Sequence, residues 1–198
     1  MARITDTIAA GIIADAFLHY PLMLYAFEGY TGQQRSVLLN RLYTRCVAAA
    51  SMCGGVLTTP DNQGAVIWLP GKNFPLSLLH EIRSGMAGIP FQIGVKPTLR
   101  LMNHDSEPEK WIRQNAAPNM GYIWCIGVLA QARGKGYSRL LIDQSMAQMH
   151  SLGLTECWLK TEDPKNVTIY QKLGFTLVRE TMVKSSGITS WALKKAIA

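Results

Sequence analysis

The feature that most restricts the fold is a run of strand, loop, helix and strand between residues 122 and 161. "YIWCIGVL" (122–129) is a short apolar run that suits a buried strand. A basic, glycine-containing loop follows it, Arg133-Gly134-Lys135-Gly136. Residues 135–151 have helical spacing and stop at Gly153, and "TECWLKT" (155–161) alternates Cys157 and Leu159 as a second strand. Two strands joined through a helix lie parallel, with a right-handed crossover.

The flanking segments add antiparallel pieces. Residues 6–18 place Ile8, Ala9, Ile12, Ile13, Ala16 and Phe17 at helical spacing, with Thr5 or Asp6 as N-cap. A second helix over 34–51 gathers Leu39, Leu42, Tyr43, Cys46 and Ala50 on one face. Between them, Tyr25, Phe27 and Tyr30 either pack beneath the 21–32 connection or line a substrate pocket. Strands near 54–59 and 64–69 flank the turn Pro60–Gly64 as a hairpin. Pro164 to Leu173 predicts a short helix ended by Gly174, and "FTLVRETMV" and "ITSWALKK" predict two final strands across 184–187. Residues 70–118 contain Pro70, Pro75, Pro90, Pro97, Pro108 and Pro118. These predict broken structure, with short helices near 75–84 and 98–114 and an irregular surface segment.

Composition narrows the partners. The chain has 198 residues, 48% apolar and 17% charged, which suits one folded domain rather than disorder. Its net charge of +7 favours an anionic partner, but the basic residues are dispersed with no reader motif, so nucleic acid is not expected. Cys46, Cys53, Cys125 and Cys157 lack CxxC spacing, so we expect reduced thiols in a cytoplasmic protein and no metal. Asp6 and Asp15 interrupt the apolar N-terminus, which predicts neither a signal peptide nor a membrane anchor. Composition leaves monomer and homodimer equally open.

The basic loop has a physical rationale. A loop that opens a helix exposes unpaired N–H groups at the positive end of the helix dipole. Glycine lets a ligand approach the backbone, and Arg133 and Lys135 add full charge. These features suit a phosphate, although a basic turn that binds nothing has the same composition. Gln131–Ser138 lacks the Walker A pattern, and Arg139 occupies the third glycine place of a dinucleotide fingerprint.

Val128–Ser138, with Gln131, Gly134 and Gly136, resembles the acetyl-CoA pyrophosphate loop of the GNAT superfamily of acetyltransferases; Ala130 stands where proline is common. Asn166-Val167-Thr168-Ile169-Tyr170-Gln171-Lys172-Leu173-Gly174-Phe175 resembles that family's second signature. The resemblance is firm over roughly 120–182 and looser over 6–70. It implies an α/β fold of mixed α+β character: a single GNAT-like domain whose mixed central sheet has a splayed parallel pair and helices on both faces. Within it, 1–70 would form N-terminal helices and hairpin, 71–118 an irregular helical insertion on the acceptor side, and 119–198 the acetyl-CoA-binding half.

The resemblance also implies roles. Acetyl-CoA would be co-substrate, with its pantetheine paired along Ile126, Gly127 and Val128 and its pyrophosphate on Arg133, Gly134, Lys135, Gly136, Tyr137 and Ser138. Asn166 would bind pantetheine, and Tyr170 would contact the cofactor and protonate the departing thiolate. The acceptor would be a small-molecule amine, a peptide N-terminus or a lysine. Glu28, His104, Asp105, Glu107 or a water chain would deprotonate it, and Cys125 is expected to be a buried thiol. Residues 21–35, 71–118 and 184–189 would form the acceptor pocket. The alternative is a non-catalytic module that binds acyl-CoA or associates with nucleic acid.

Overall fold

The computed structural model describes residues 4–197. The chain enters through helices α1 (Ile4–Ala16), α2 (Pro21–Ala26) and α3 (Gly32–Cys53), then forms the hairpin β1 (Gly55–Thr58) and β2 (Gly64–Pro70). Helices α4 (Leu78–Ser84), α5 (Ile89–Ile93) and α6 (Val95–Asn115) lead to β3 (Met120–Val128). There follow α7 (Tyr137–Ser151), β4 (Glu156–Thr161), α8 (Pro164–Lys172), β5 (Thr176–Val183) and β6 (Ile188–Ala196). The strands form one sheet in the order β1-β2-β3-β4-β6-β5, in which β3 and β4 alone run parallel.

The mixed sheet with helices on both faces is therefore present. Alternation along β2 shows why both faces are covered. Ala65, Ile67 and Leu69 join the core under α1 and α3, while Val66 and Trp68 join a second core with Leu141 and Ile142 of α7. A full capping box starts α3: Thr31 Oγ1 accepts from the Gln34 amide at 3.3 Å, and Gln34 Oε1 accepts from the Thr31 amide at 2.9 Å. Such a cap contributes about 1 kcal/mol. The expected N-cap of α1 at Thr5 or Asp6 is corrected, because the helix already includes both residues. Asp6 instead accepts a 2.8 Å hydrogen bond from Ser51 on α3.

The 71–118 segment is more ordered than its prolines predict. Helix α6 runs for 21 residues through Pro97 and Pro108. Pro97 lies in the first turn, where its missing N–H is harmless. Pro108 does cost a hydrogen bond to His104, yet Pro108, His104 and Ile112 are all buried along one face. That packing outweighs the ~3 kcal/mol penalty of an interior proline. No helix among the described residues is long and apolar enough to cross a membrane.

The decisive irregularity lies between β3 and β4. They pair only at Met120–Glu156, Gly121–Cys157 and Tyr122–Trp158, although β3 continues for six more residues. A register shift against β2 leaves Trp124 as an extra residue, since Ile67 pairs with Cys125 and Trp68 with Ile123. A bulge of this kind bends a strand and raises its twist. Beyond it, the edge of β3 that faces β4 has no strand partner.

Candidate active site

The loop after β3 is built by local turns. A short 3₁₀ turn, Ala130–Ala132, leads to Gly134 at φ 83° and Gly136 at φ 80°, both in the left-handed region that favours glycine. A β-carbon at either glycine would meet nothing within 4 Å, so the backbone here faces open space. Gly136 is the N-cap of α7 and supplies no side-chain cap, leaving the first-turn amides at Tyr137, Ser138 and Arg139 without an intrahelical acceptor. The amides of Arg133 and Lys135 are already engaged with the carbonyls of Ala130 and Ala132, at 3.3 and 3.4 Å. The basic side chains of Arg133 and Lys135 are exposed.

This loop leans on the β1–β2 hairpin. The Leu129 amide donates to the Gln63 carbonyl at 2.9 Å. The Tyr137 hydroxyl donates to Asp61, and that hydrogen bond holds the Asp61 carboxyl below its usual range. Gly127 has a different role from its neighbours: a β-carbon there would come within 2.7 Å of Ala16 on α1. It allows the helix to approach the sheet.

Where β3 and β4 part, a cavity of about 580 Å³ opens. Ile126 and Cys125 line one side, and Thr161, Asn166 and Tyr170 line the other. Asp163 caps α8 by accepting from the Lys165 amide at 2.9 Å, with Pro164 at the first helical position, and so aims Asn166 and Tyr170 into the gap. Asn166 Nδ2 donates to Thr161 Oγ1 at 3.2 Å. Tyr170 is 8% exposed, stacks edge-on against Phe175, and has no hydrogen-bond partner for its hydroxyl among the described residues. Burial, then the neighbouring Cys125, pushes its phenol above the ordinary range, so it stays protonated. Burial likewise raises Cys125, which is therefore a thiol and not a thiolate.

The far wall of the cavity holds a charged cluster. Lys160 donates to Asp105 at 2.7 Å and to Glu162 at 3.0 Å. Burial opposes its charge, but Asp105 and Glu162 overcome that and hold the ammonium well above the usual lysine range. Burial also opposes the charge of Glu162, yet Lys160 and then His104 bring it down to about 2. Tyr20 joins this knot: its hydroxyl accepts from the Glu162 amide at 2.6 Å and lies 2.9 Å from Thr161 Oγ1. Glu109, one turn beyond Asp105 on α6, is pushed up to about 8 by burial and by the Asp105 carboxylate.

The four expected proton acceptors separate. Asp105 lines the cavity. Glu28 pairs with Arg100 at 2.6 Å and Glu107 with Arg179 at 3.0 Å, both away from it. His104 is fully buried behind the wall, 2.7 Å from Ser186 Oγ and 3.4 Å from Glu162. Among the connection aromatics, Phe27 is buried and Tyr25 bonds the Ser185 carbonyl, and neither they nor Tyr30 line the cavity. Sequence reasoning missed Tyr20, Glu81, Glu109, Lys160 and Glu162, all of which line it. A lysine beside the apolar Leu159 in a strand expected to be buried was the available signal. Among the described residues, no three His, Cys, Asp or Glu side chains are grouped to hold a metal.

A family model of GNAT acetyltransferases matches residues 99–175. An uncharacterized N-acetyltransferase of Schizosaccharomyces pombe is 26% identical over 174 residues, covering 84% of this chain and 69% of that protein. Over 99–175 the chain is similar to the GNAT acetyltransferases, whose general chemistry is acyl transfer to an amine. The likeness of fold extends to solved N-acetyltransferase structures. A Drosophila melanogaster polyamine N-acetyltransferase superposes with a TM-score of 0.60 at 13% identity, covering 97% of this chain and 94% of that one. An agmatine N-acetyltransferase gives 0.60 at 15% identity with the same coverage.

Proposed function

We propose that this chain transfers an acetyl group from acetyl-CoA to a primary amine by direct attack. The observation that carries the reading is the open cradle at Gly134 and Gly136 at the head of the gap between β3 and β4. The free amides at the start of α7 suit a pyrophosphate, and exposed Arg133 and Lys135 add charge for it. The unpaired edge of β3 around Ile126, Gly127 and Val128 suits the amide groups of a pantetheine arm, as an added strand would. Asn166 lines the same gap. The likeness to the family supports this use, and we assign the whole described chain to one catalytic unit in the cytoplasm.

Acetyl-CoA would supply a thioester carbonyl as electrophile. The acceptor's ammonium would first lose a proton to Asp105 or through water. Tyr170 would give its hydroxyl proton to the sulfur as the carbon–sulfur bond breaks and the carbon–nitrogen bond forms, and the proton shed by the acylated nitrogen would restore the tyrosine. Its place on the cavity wall and a phenol that stays protonated support that role. Cys125 holds its own proton and takes no covalent part.

The test is free-thiol release from acetyl-CoA across an amine panel, followed by Tyr170→Phe. The variant should lose about 10²- to 10⁴-fold in kcat with KM for acetyl-CoA unchanged. Acetyl-CoA binding without thiol release from any amine would leave a non-catalytic acyl-CoA module instead. A loss under threefold in the variant would return Tyr170 to packing.

A further inference from the structure

The charged side chains that line the cavity are Glu81, Asp105, Glu109, Lys160 and Glu162. Lys160 is already held between Asp105 and Glu162. An entering cation therefore meets uncompensated negative charge, although the whole chain carries +7. An entering anion meets no free positive group there. The remaining surface is mostly apolar, with Phe17, Phe74, Leu76, Met86, Ile89 and Leu101 as its walls. Phe74 stacks on Tyr122 at a centroid distance of 4.0 Å, which makes the floor beside the acids flat and aromatic.

We infer that the acceptor is a small amine with a single positive charge on an apolar body, its ammonium held beside Asp105 and Glu109 and its body among the apolar walls. This rests on the acetyl-transfer reading. Two observations support it beyond the carboxylates. The acids line a half-open, mostly apolar cavity rather than a flat surface. The cavity is also lined by Tyr170, so a nitrogen beside the acids lies in the same chamber as the proposed proton donor. An ammonium in a chamber of low dielectric is held strongly by a nearby carboxylate. A second ammonium along the chain would instead be stranded against Phe74, Met86 or Ile89, with only Glu81 of α4 to reach for. A peptide would bring backbone amides to walls that offer few partners for them.

The test combines binding and turnover. Phenethylamine, putrescine, spermidine, a lysine peptide and the neutral alcohol 2-phenylethanol are titrated by calorimetry into the CoA-saturated protein, and thiol release from acetyl-CoA is measured with each amine. Phenethylamine should bind at least tenfold more tightly than the others and turn over with the highest kcat/KM. At pH 9, where Glu109 carries its charge, Glu109→Gln should weaken phenethylamine at least tenfold and leave acetyl-CoA affinity unchanged. Preference for spermidine, putrescine or the peptide would overturn the inference and leave the transferase reading intact. Tight, Glu109-dependent phenethylamine binding without thiol release would keep the pocket's assignment and remove the transferase reading. Equal binding of 2-phenylethanol, or no amine binding at all, would overturn the assignment of the acids.

Discussion

The proposed donor and acceptor sides of the cleft are built in opposite ways. The donor side, from Met120 to Gly174, is one continuous stretch in which turn glycines, a helix start and a strand edge do the work. The charge on its loop, carried by Arg133 and Lys135, is basic and exposed. The acceptor side gathers Tyr20, Leu42, Phe74, Ile89 and Glu109 from segments far apart in the chain, and its charge is acidic and lines the half-open cavity. The difference suits two kinds of ligand. A phosphate can be held by backbone groups that any sequence supplies, whereas an ammonium in an apolar chamber needs particular carboxylates.

Lys160 belongs to the donor strand β4 but is ion-paired to α6 of the insertion, so it tests whether the two sides are separable. Lys160→Met leaves Glu162, 3% exposed, without its counter-ion. Loss of one partner from a buried pair costs about 3–5 kcal/mol, and urea denaturation should show a destabilisation of that order. Lys160→Met with Glu162→Gln should recover part of it. A single-variant loss below about 1 kcal/mol, the size of an exposed pair, would mean that the sides fold without this tie.

A smaller effect sharpens what the donor glycines do. Gly134 and Gly153 both adopt positive φ, at 83° and 73°, and a β-carbon at either meets nothing within 4 Å. Gly134→Ala and Gly153→Ala should each destabilise by about 1–2 kcal/mol through backbone strain alone. Only the first should weaken acetyl-CoA, by tenfold or more in calorimetry. Equal affinities in the two variants would take the loop out of the donor site.

The smallest effect concerns pH on the acceptor side. Glu109 is raised to about 8 by burial and Asp105, against the opposing pull of Lys160 and Arg113. Its folded value lies above its unfolded one, so the stability it contributes is present below the ordinary glutamate range and is lost as pH rises through about 8. Between pH 5.5 and 8.5, Glu109→Gln should show a fall in Tm smaller than the parent's by about 2–4 °C, the shift that roughly 1 kcal/mol produces at this size. Parallel Tm profiles would mean that Glu109 titrates normally.

Legibility followed the same division. Strand, loop and helix periodicity in 122–174 placed β3, α7, β4 and α8 within a few residues, because those signals are local. Asn166 and Tyr170 line one cavity with Cys125 and Ile126, whereas Gly127, Val128 and residues 133–138 are not part of its lining. Of the proton acceptors proposed from sequence, Asp105 alone reached the cavity, because nothing local tells Asp105 from Glu107. The helix expected near 98–114 already joins Asp105 to Glu109 at helical spacing, but nothing local says that this face meets a cavity. Only tertiary packing keeps that helix continuous. Tyr20 and Glu162 meet across 142 positions, a distance no periodicity spans.

The turn of the β1–β2 hairpin, which touches the glycine loop through Gln63 and Asp61, bears on how the chain can be divided. The segment that matches the family model, 99–175, holds β3 and β4 as its strands, joined by three residue pairs. The strand that pairs along β3, the strand that borders β4 and the prop beside the glycine loop all lie outside it. What makes the chain recognisable and what lets it stand are different stretches of sequence. A fragment cut at the limits of the recognisable segment would keep every signature residue and lose the scaffold that gives them their geometry.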